Sequence, residues 1–140
     1  MDSNIQQTDQ AIVEQIINDA IGWALTKDKA RLFDIMAQDD DFFIFHPDSK
    51  STIIGFDAFQ QLAERAWMSD AFQATDFAIR DLRINFSESG TVAWYACYLD
   101  DHGEVNGKRV GWDNARWTGV IEKRNGKWVI TQMHFSFAKD

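Results

Sequence analysis

At 140 residues the chain is long enough for one domain with a sizeable core. Its net charge of −8 and pI near 4.7 exclude the basic patches that nucleic acid or an anionic membrane would need. No apolar run approaches the roughly 18 residues of a membrane span, Cys97 has no disulfide partner within the chain, and the start MDSNIQQTDQ lacks the parts of a signal peptide. A soluble cytoplasmic protein is therefore expected, with Cys97 as a small buried hydrophobe.

In chain order, Val13, Ile16, Ile17, Ala20 and Ala24 recur at helical spacing after Thr8 and Asp9 and predict a helix over about residues 9–26. A shorter helix follows Asp28 and buries Leu32, Phe33 and Met36. The run Asp39-Asp40-Asp41 carries no cation-ligand spacing and reads as a solvated turn. Phe42 to His46 is a short strand closed by Pro47, and Thr52 to Ile54 a second extended piece. Gly55 introduces a third helix on Phe56, Phe59, Leu62, Ala63, Ala66 and Trp67. Strands then dominate: Phe77 to Phe86, Thr91 to Asp100 with a loop through His102-Gly103, and a closing hairpin. Helices segregated from a mostly antiparallel sheet make the fold α+β. No repeat or linker interrupts the chain.

The closing hairpin, RWTGVIEKRNGKWVITQMHFS, turns on Asn125-Gly126, whose residue types accept the positive φ of a two-residue type I′ turn. With that loop, one face carries Trp117/His134, Gly119/Gln132, Ile121/Ile130 and Lys123/Trp128. The other carries Arg116/Phe135, Thr118/Met133, Val120/Thr131 and Glu122/Val129. Neither face alternates as a strand with one wet side should, so both are expected to be covered by protein. Six Trp and eleven Phe beside one Pro imply a large core, and lean toward an aromatic-lined cavity.

The succession FHPDS, IIGFDAF, TVAWYACYLDD and RWTGVIEKRNGKWVITQMHFS resembles a SnoaL-like domain of the nuclear transport factor-2-like superfamily, over about residues 10–138 of a single domain, 1–140. The resemblance implies a cone: a strongly bent, mostly antiparallel sheet wrapped around three helices from the N-terminal half, with an internal cavity. It also implies a homodimer through the outer sheet face, here expected to use Trp117, Trp128, Ile130, Gln132 and His134. The hairpin is similar as well to the calcium/calmodulin-dependent kinase association domain. By that likeness Arg116, Thr118 and Phe135 are expected inside the cone, together with Trp94, Ala96 and Tyr98. Ala96 and Phe135 stand where that family places arginines, which argues against a carboxylate trap of the same kind.

His46 matches the place where ketosteroid isomerases of the superfamily hold their general base. A histidine suits proton transfer near neutral pH, and the alternative is a hydrogen-bonding residue at the cavity rim. Ala20 stands where the isomerase has its oxyanion tyrosine, and Thr118 near its protonated aspartate, so steroid isomerisation is not expected. Arg116 is either a surface charge or a fixed cation in an apolar cup that would favour an acidic ligand. Asp100-Asp101 reads as a solvated turn, or as a carboxylate at the cone's mouth, where SnoaL itself places its acid/base aspartate. His46, His102 and His134 show no metal-ligand spacing, and neither metal nor cofactor is expected.

The expected site is His46, Trp94, Tyr98 and Arg116 converging on one cavity, with Thr118 and Phe135 in its wall and Trp67 and Trp112 closing it. Two functions fit. The primary reading is a module binding a small organic, perhaps acidic, molecule. The other is a cofactor-independent isomerase, cyclase or dehydratase with His46 as base. A second titratable group converging on His46 is what distinguishes them.

Overall fold

The structure, a computed structural model, describes residues 2–140, with side chains from Thr8 onward. Helix α1 spans Asp2–Thr26 and α2 spans Lys29–Asp34; strands β1 (Phe43–Phe45) and β2 (Ile53–Ile54) follow. Next come α3, Phe56–Leu62, which runs on into a π-helical turn Ala63–Trp67, and four longer strands. These are β3 (Phe72–Phe86), β4 (Val92–Val105), β5 (Lys108–Arg124) and β6 (Lys127–Ser136).

Val13, Ile16, Ile17, Ala20, Trp23 and Ala24 form the buried stripe of α1, the i, i+3, i+4 pattern of an amphipathic helix. The chain leaves α1 through Lys27 at φ 54°, and Asp28 accepts from the Arg31 N–H at 3.1 Å to start α2. No helix among the described residues is long and apolar enough to cross a membrane.

The six strands lie in the order β2-β1-β6-β5-β4-β3, antiparallel except for the β1/β6 pair. The sheet is open and bends around the helices as a cone, the α+β architecture expected. Irregularities interrupt β3, β5 and β6, with Asp81 at φ 55° and Asn114 at φ 58°, and bulges of this kind are what bend a sheet.

Two details depart from expectation. Residues 102–103 are strand, not loop: β4 and β5 continue past them to a second Asn-Gly turn, Asn106-Gly107, with φ 52° and 81°. The hairpin register is also not uniform. Arg124↔Lys127 through Ile121↔Ile130 pair as expected, but the register then shifts by one, so Val120 opposes Gln132 and Trp117 opposes Phe135. Thr131 is the extra residue.

That one residue explains the blurred alternation. The apolar positions Trp128 and Ile130 before the bulge, and Met133 and Phe135 after it, all face the helices. They join Ala115, Trp117, Gly119 and Ile121 of β5 and Ala93, Tyr95, Cys97 and Leu99 of β4. The opposite face leaves Arg116, Thr118 and His134 exposed in the single chain, so the protein expected to cover it is not another part of the same chain. Trp117, Trp128 and Ile130, expected on an outer dimer surface, are 0%, 3% and 0% exposed in the core.

Gly119 allows this packing. A Cβ there would meet the Tyr95 ring and lie 2.7 Å from the Gln132 carbonyl oxygen, beside the bulge. Tyr95 meets Trp117 edge to face at 5.2 Å. The Tyr95 hydroxyl and Trp117 Nε1 lie close, yet neither finds a hydrogen-bond partner of good geometry among the described residues. On the outer face His102 spans three strands, with Nδ1 2.6 Å from Asp76 and Nε2 2.7 Å from Asp113. Both partners are acceptors, so both ring nitrogens donate and His102 is an imidazolium. Its pKa is raised, first by Asp113 and then by Asp76.

With Trp117 stacked on Phe135 at 5.4 Å and fully buried, Trp117→Ala should cost about 3–5 kcal/mol in urea unfolding at pH 7. A cost below about 1 kcal/mol would mean that this ring does not face the core.

Candidate active-site cavity

Between α1, α3 and the inner sheet face lies a cavity of about 320 Å³. Its walls are largely aromatic and aliphatic, including Trp23, Phe59, Trp67, Phe72, Trp112 and Phe135. The polar side chains on it are His46, Asp48, Ser51 and Asp101. Of the expected site residues, the fold brings His46, Trp67, Trp112 and Phe135 together here.

Arg116, Thr118, Trp94 and Tyr98 are corrections. All four lie on the outer sheet face, with Trp94 46% and Tyr98 39% exposed. Arg116 donates from Nη2 to the Phe137 carbonyl at 3.2 Å, and the Arg80 guanidinium sits 5.8 Å from the centre of the Tyr98 ring. The physical reason is the Thr131 bulge, which assigns Trp117 rather than Arg116 to the face of Phe135. Trp94, Ala96 and Tyr98 pair with Val120, Thr118 and Arg116 on β5 and share their outward direction.

His46 follows the last residue of β1, and Pro47 stops the strand there. Its Nδ1 lies 2.6 Å from the Ser51 carbonyl oxygen. A carbonyl only accepts, so Nδ1 carries the proton and, in the neutral ring, Nε2 keeps a free lone pair. The ring stacks on Phe135 at 5.5 Å with 6° between planes and lies 6.0 Å from Trp112. Burial lowers its pKa; the Ser51 carbonyl and the Asp48 carboxylate oppose that fall. At pH 7 His46 is therefore a neutral base.

Asp101 reaches the cavity through a second irregularity. Leu99 pairs with Ala115, but Asp101 pairs with Trp112, so β5 has one residue more than β4 in this stretch. Trp112, rather than Asp113, thereby faces inward beside Asp101. Asp100 holds the irregular segment by accepting from the Asn114 N–H at 2.7 Å and from Arg80 at 3.0 Å. Gly111 carries no Cβ because at φ 132° one would collide with the Asp101 carbonyl.

The Asp101 carboxyl makes no hydrogen bond among the described residues, and burial pushes its pKa up to about 6; the His102 charge opposes this and the Asp76 carboxylate adds to it. An unpaired, half-buried carboxyl of this kind is a candidate acid/base group. The sequence offered the Asp100-Asp101 pair as a solvated turn or as a carboxylate at the cone's mouth, and did not single out Asp101. The run of alternating apolar residues ending at Leu99 placed it inward, had the strand been continued to Asn106-Gly107.

Trp67 sits on the π-helical turn, 6.1 Å from Trp23 and 5.7 Å from Phe59, and closes the helical side. Such turns often present a side chain to a functional site. No cluster of metal-ligating side chains occurs among the described residues.

The sequence pattern of the SnoaL-like domain family matches residues 13–140, and the chain belongs to that family. No curated protein matches it significantly in sequence. Its fold is similar to that of a scytalone dehydratase-like protein from Novosphingobium aromaticivorans, with TM-score 0.78, 12% identity, and 98% of this chain and 89% of the other covered. A dehydratase-like protein of the nuclear transport factor-2-like family from Streptomyces avermitilis gives TM-score 0.76 and 16% identity, over 96% and 99% of the two chains. A calcium/calmodulin-dependent protein kinase II association domain-like protein from Xanthomonas campestris gives 0.70 and 20%, over 91% and 86%. At these identities the likeness is one of fold.

Because the folded pKa of Asp101 lies above its unfolded value near 3.8, folding gains from the bound proton at low pH and loses that gain as pH rises from about 4 to about 6. Asp101→Asn abolishes this loss. The variant should be more stable than the parent by on the order of 2 kcal/mol at pH 7.5 and nearly equal to it at pH 4, read from urea midpoints.

Proposed function

We propose that this protein is a cofactor-independent acid–base enzyme of the dehydratase or isomerase class, acting on a small, neutral, hydroxylated cyclic molecule. The observation that carries this is that His46 and Asp101 line one aromatic cavity. The sequence could not assign a second titratable group beside His46, and Asp101 meets that need. The dehydratase-like relatives in the fold comparison lend support as analogy only.

The cavity walls include Asp48 and Asp101 and no Lys or Arg among the described residues. That disfavours the acidic ligand which an inward Arg116 would have attracted, and favours a neutral donor-bearing one. For dehydration of a hydroxy ketone, His46 Nε2 takes the proton α to the carbonyl while protonated Asp101 gives its proton to the departing hydroxyl. The C–H and C–O bonds break, C=C forms, and water leaves. Aromatic walls orient the ring and exclude solvent. The acidic charge and the single, unpaired Cys97 fit work in the cytoplasm.

The working form has neutral His46, above its lowered pKa, and protonated Asp101, below about 6. Turnover of a panel of cyclic β-hydroxy ketones, followed by enone absorbance, should peak on the acid side of neutrality and fall as pH rises through 6. His46→Ala and Asp101→Asn should each reduce kcat about 10²–10⁴-fold with little change in binding. Tight binding of such compounds with no turnover would instead favour the simple binding module.

We further propose a homodimer through the outer sheet face, built on Phe45, Trp94 and Tyr98 together with Gln132 and His134. Phe45, Trp94 and Tyr98 are 44%, 46% and 39% exposed, and the strands that carry them are adjacent through β5 and β6. A standard interface of about 1,200–2,000 Å² would cover them. Sedimentation should show a dimer at micromolar concentration and a monomer for Trp94→Asp. A monomeric parent protein refutes the assembly.

A further inference from the structure

The loop between β1 and β2 carries more of the site than His46 alone. Pro47 ends the strand, and Asp48 is exposed beside the cavity mouth. Its Oδ1 accepts from the Lys50 N–H at 3.0 Å and from the Ser51 hydroxyl at 2.9 Å. These two bonds, with a longer backbone bond from the Ser51 N–H to the Asp48 carbonyl at 3.4 Å, close the single 3₁₀ turn Ser49–Ser51. The turn in its closed form delivers the Ser51 carbonyl to His46 Nδ1 at 2.6 Å. The same six-residue stretch, HPDSKS, thus contains both the imidazole and everything that orients it from the Nδ1 side.

We infer that Asp48 is a positioning residue for His46: by capping the Ser49–Ser51 turn it fixes the Ser51 carbonyl, and through it the Nδ1–H tautomer that leaves Nε2 as the free nitrogen. The inference rests on the reading of His46 as the base, but its core statement concerns a tautomer and needs no substrate. Free histidine side chains in water favour the opposite, Nε2–H form. The ring here is held against that preference, because the partner of one nitrogen decides which of the two carries the proton. With the cap gone, Ser51 has no side-chain bond holding it in the turn, and its carbonyl is free to leave Nδ1. Stacking on Phe135 fixes the plane of the imidazole, at 6° to the phenyl ring, but does not choose between the nitrogens. The choice falls to Ser51, and the placing of Ser51 falls to Asp48. An acceptor oxygen at position 48 is what the turn requires, whether or not it is charged.

The test is long-range ¹H–¹⁵N correlation NMR of the imidazole at pH 7.5, comparing the parent protein with Asp48→Ala and Asp48→Asn, the fold of each checked by near-ultraviolet circular dichroism. The parent should show His46 with a protonated Nδ1 and an unprotonated Nε2. Asp48→Ala should move it toward the Nε2–H form or a mixture, and Asp48→Asn, whose side-chain oxygen still accepts, should restore the parent pattern. A parent protein in the Nε2–H form overturns the inference, as does an Asp48→Ala spectrum unchanged from the parent or an Asp48→Asn spectrum resembling that of Asp48→Ala. Should Asp48→Ala not fold, Ser51→Ala removes one of the two cap bonds and is expected to shift the tautomer in the same direction; no shift in that variant overturns the inference too. The expected tautomer pattern without turnover on any cyclic hydroxy ketone would sink the enzymatic reading while leaving the role of Asp48 standing. Turnover with a tautomer indifferent to residue 48 does the reverse.

Discussion

A single unpaired residue in β6 governs the molecule. Thr131 lets the strand slip by one position, and so puts four large apolar side chains on one side where strict alternation would have split them two and two. Burying that many groups on one face is worth several kcal/mol more than dividing them between core and solvent. The slip also sets Phe135 between Trp117 at 5.4 Å and His46 at 5.5 Å, near-parallel to both. A continuous aromatic column therefore runs from the deepest part of the core to the one histidine on the cavity wall. The orientation of the His46 ring is a property of the core as much as of its own loop.

The cavity end of that column is where packing yields to chemistry. Asp101 is carried inward by a second irregular segment and makes no hydrogen bond among the described residues, an arrangement that costs stability at neutral pH. Deeper in, the Tyr95 hydroxyl and Trp117 Nε1 are buried without hydrogen-bond partners among the described residues. Packing and titratable groups are in this way divided between neighbouring residues: Trp117, Phe135 and Tyr95 pack, while His46 and Asp101 line the cavity.

How much of this the sequence disclosed depended on whether the information was local. Helix α1, the Asn125-Gly126 turn, the order of elements and the family were legible because periodicity, turn chemistry and motif order are written in adjacent residues. His46 and Trp67 reach the cavity for similar reasons, a strand end before Pro47 and a helical stripe, whereas Trp112 and Phe135 reach it only because irregularities in β5 and β6 separate them from the face of Arg116. Arg116 and Thr118 face outward because the register that ties them to Phe135 runs through Thr131, and nothing in the composition of ITQMH announces a bulge; Trp94 and Tyr98, expected inside by resemblance alone, pair with Val120 and Arg116 and share the outward direction of Arg116. The second Asn-Gly turn at 106–107 was a different kind of miss. The pattern was present in the sequence and was passed over in favour of His102-Gly103, which cut β4 short at the point where Asp101 turns inward.

Gly119 illustrates what such an arrangement imposes over evolutionary time. It is hemmed in from two sides, by a ring that a substitution at position 95 would remove and by the Gln132 carbonyl, which no side-chain replacement can move. Loss of Tyr95 alone would not free the site. A larger residue at 119 would have to displace backbone as well as a ring. Invariance at position 119 among relatives would accordingly be a record of backbone geometry, and should not be mistaken for the imprint of a shared substrate.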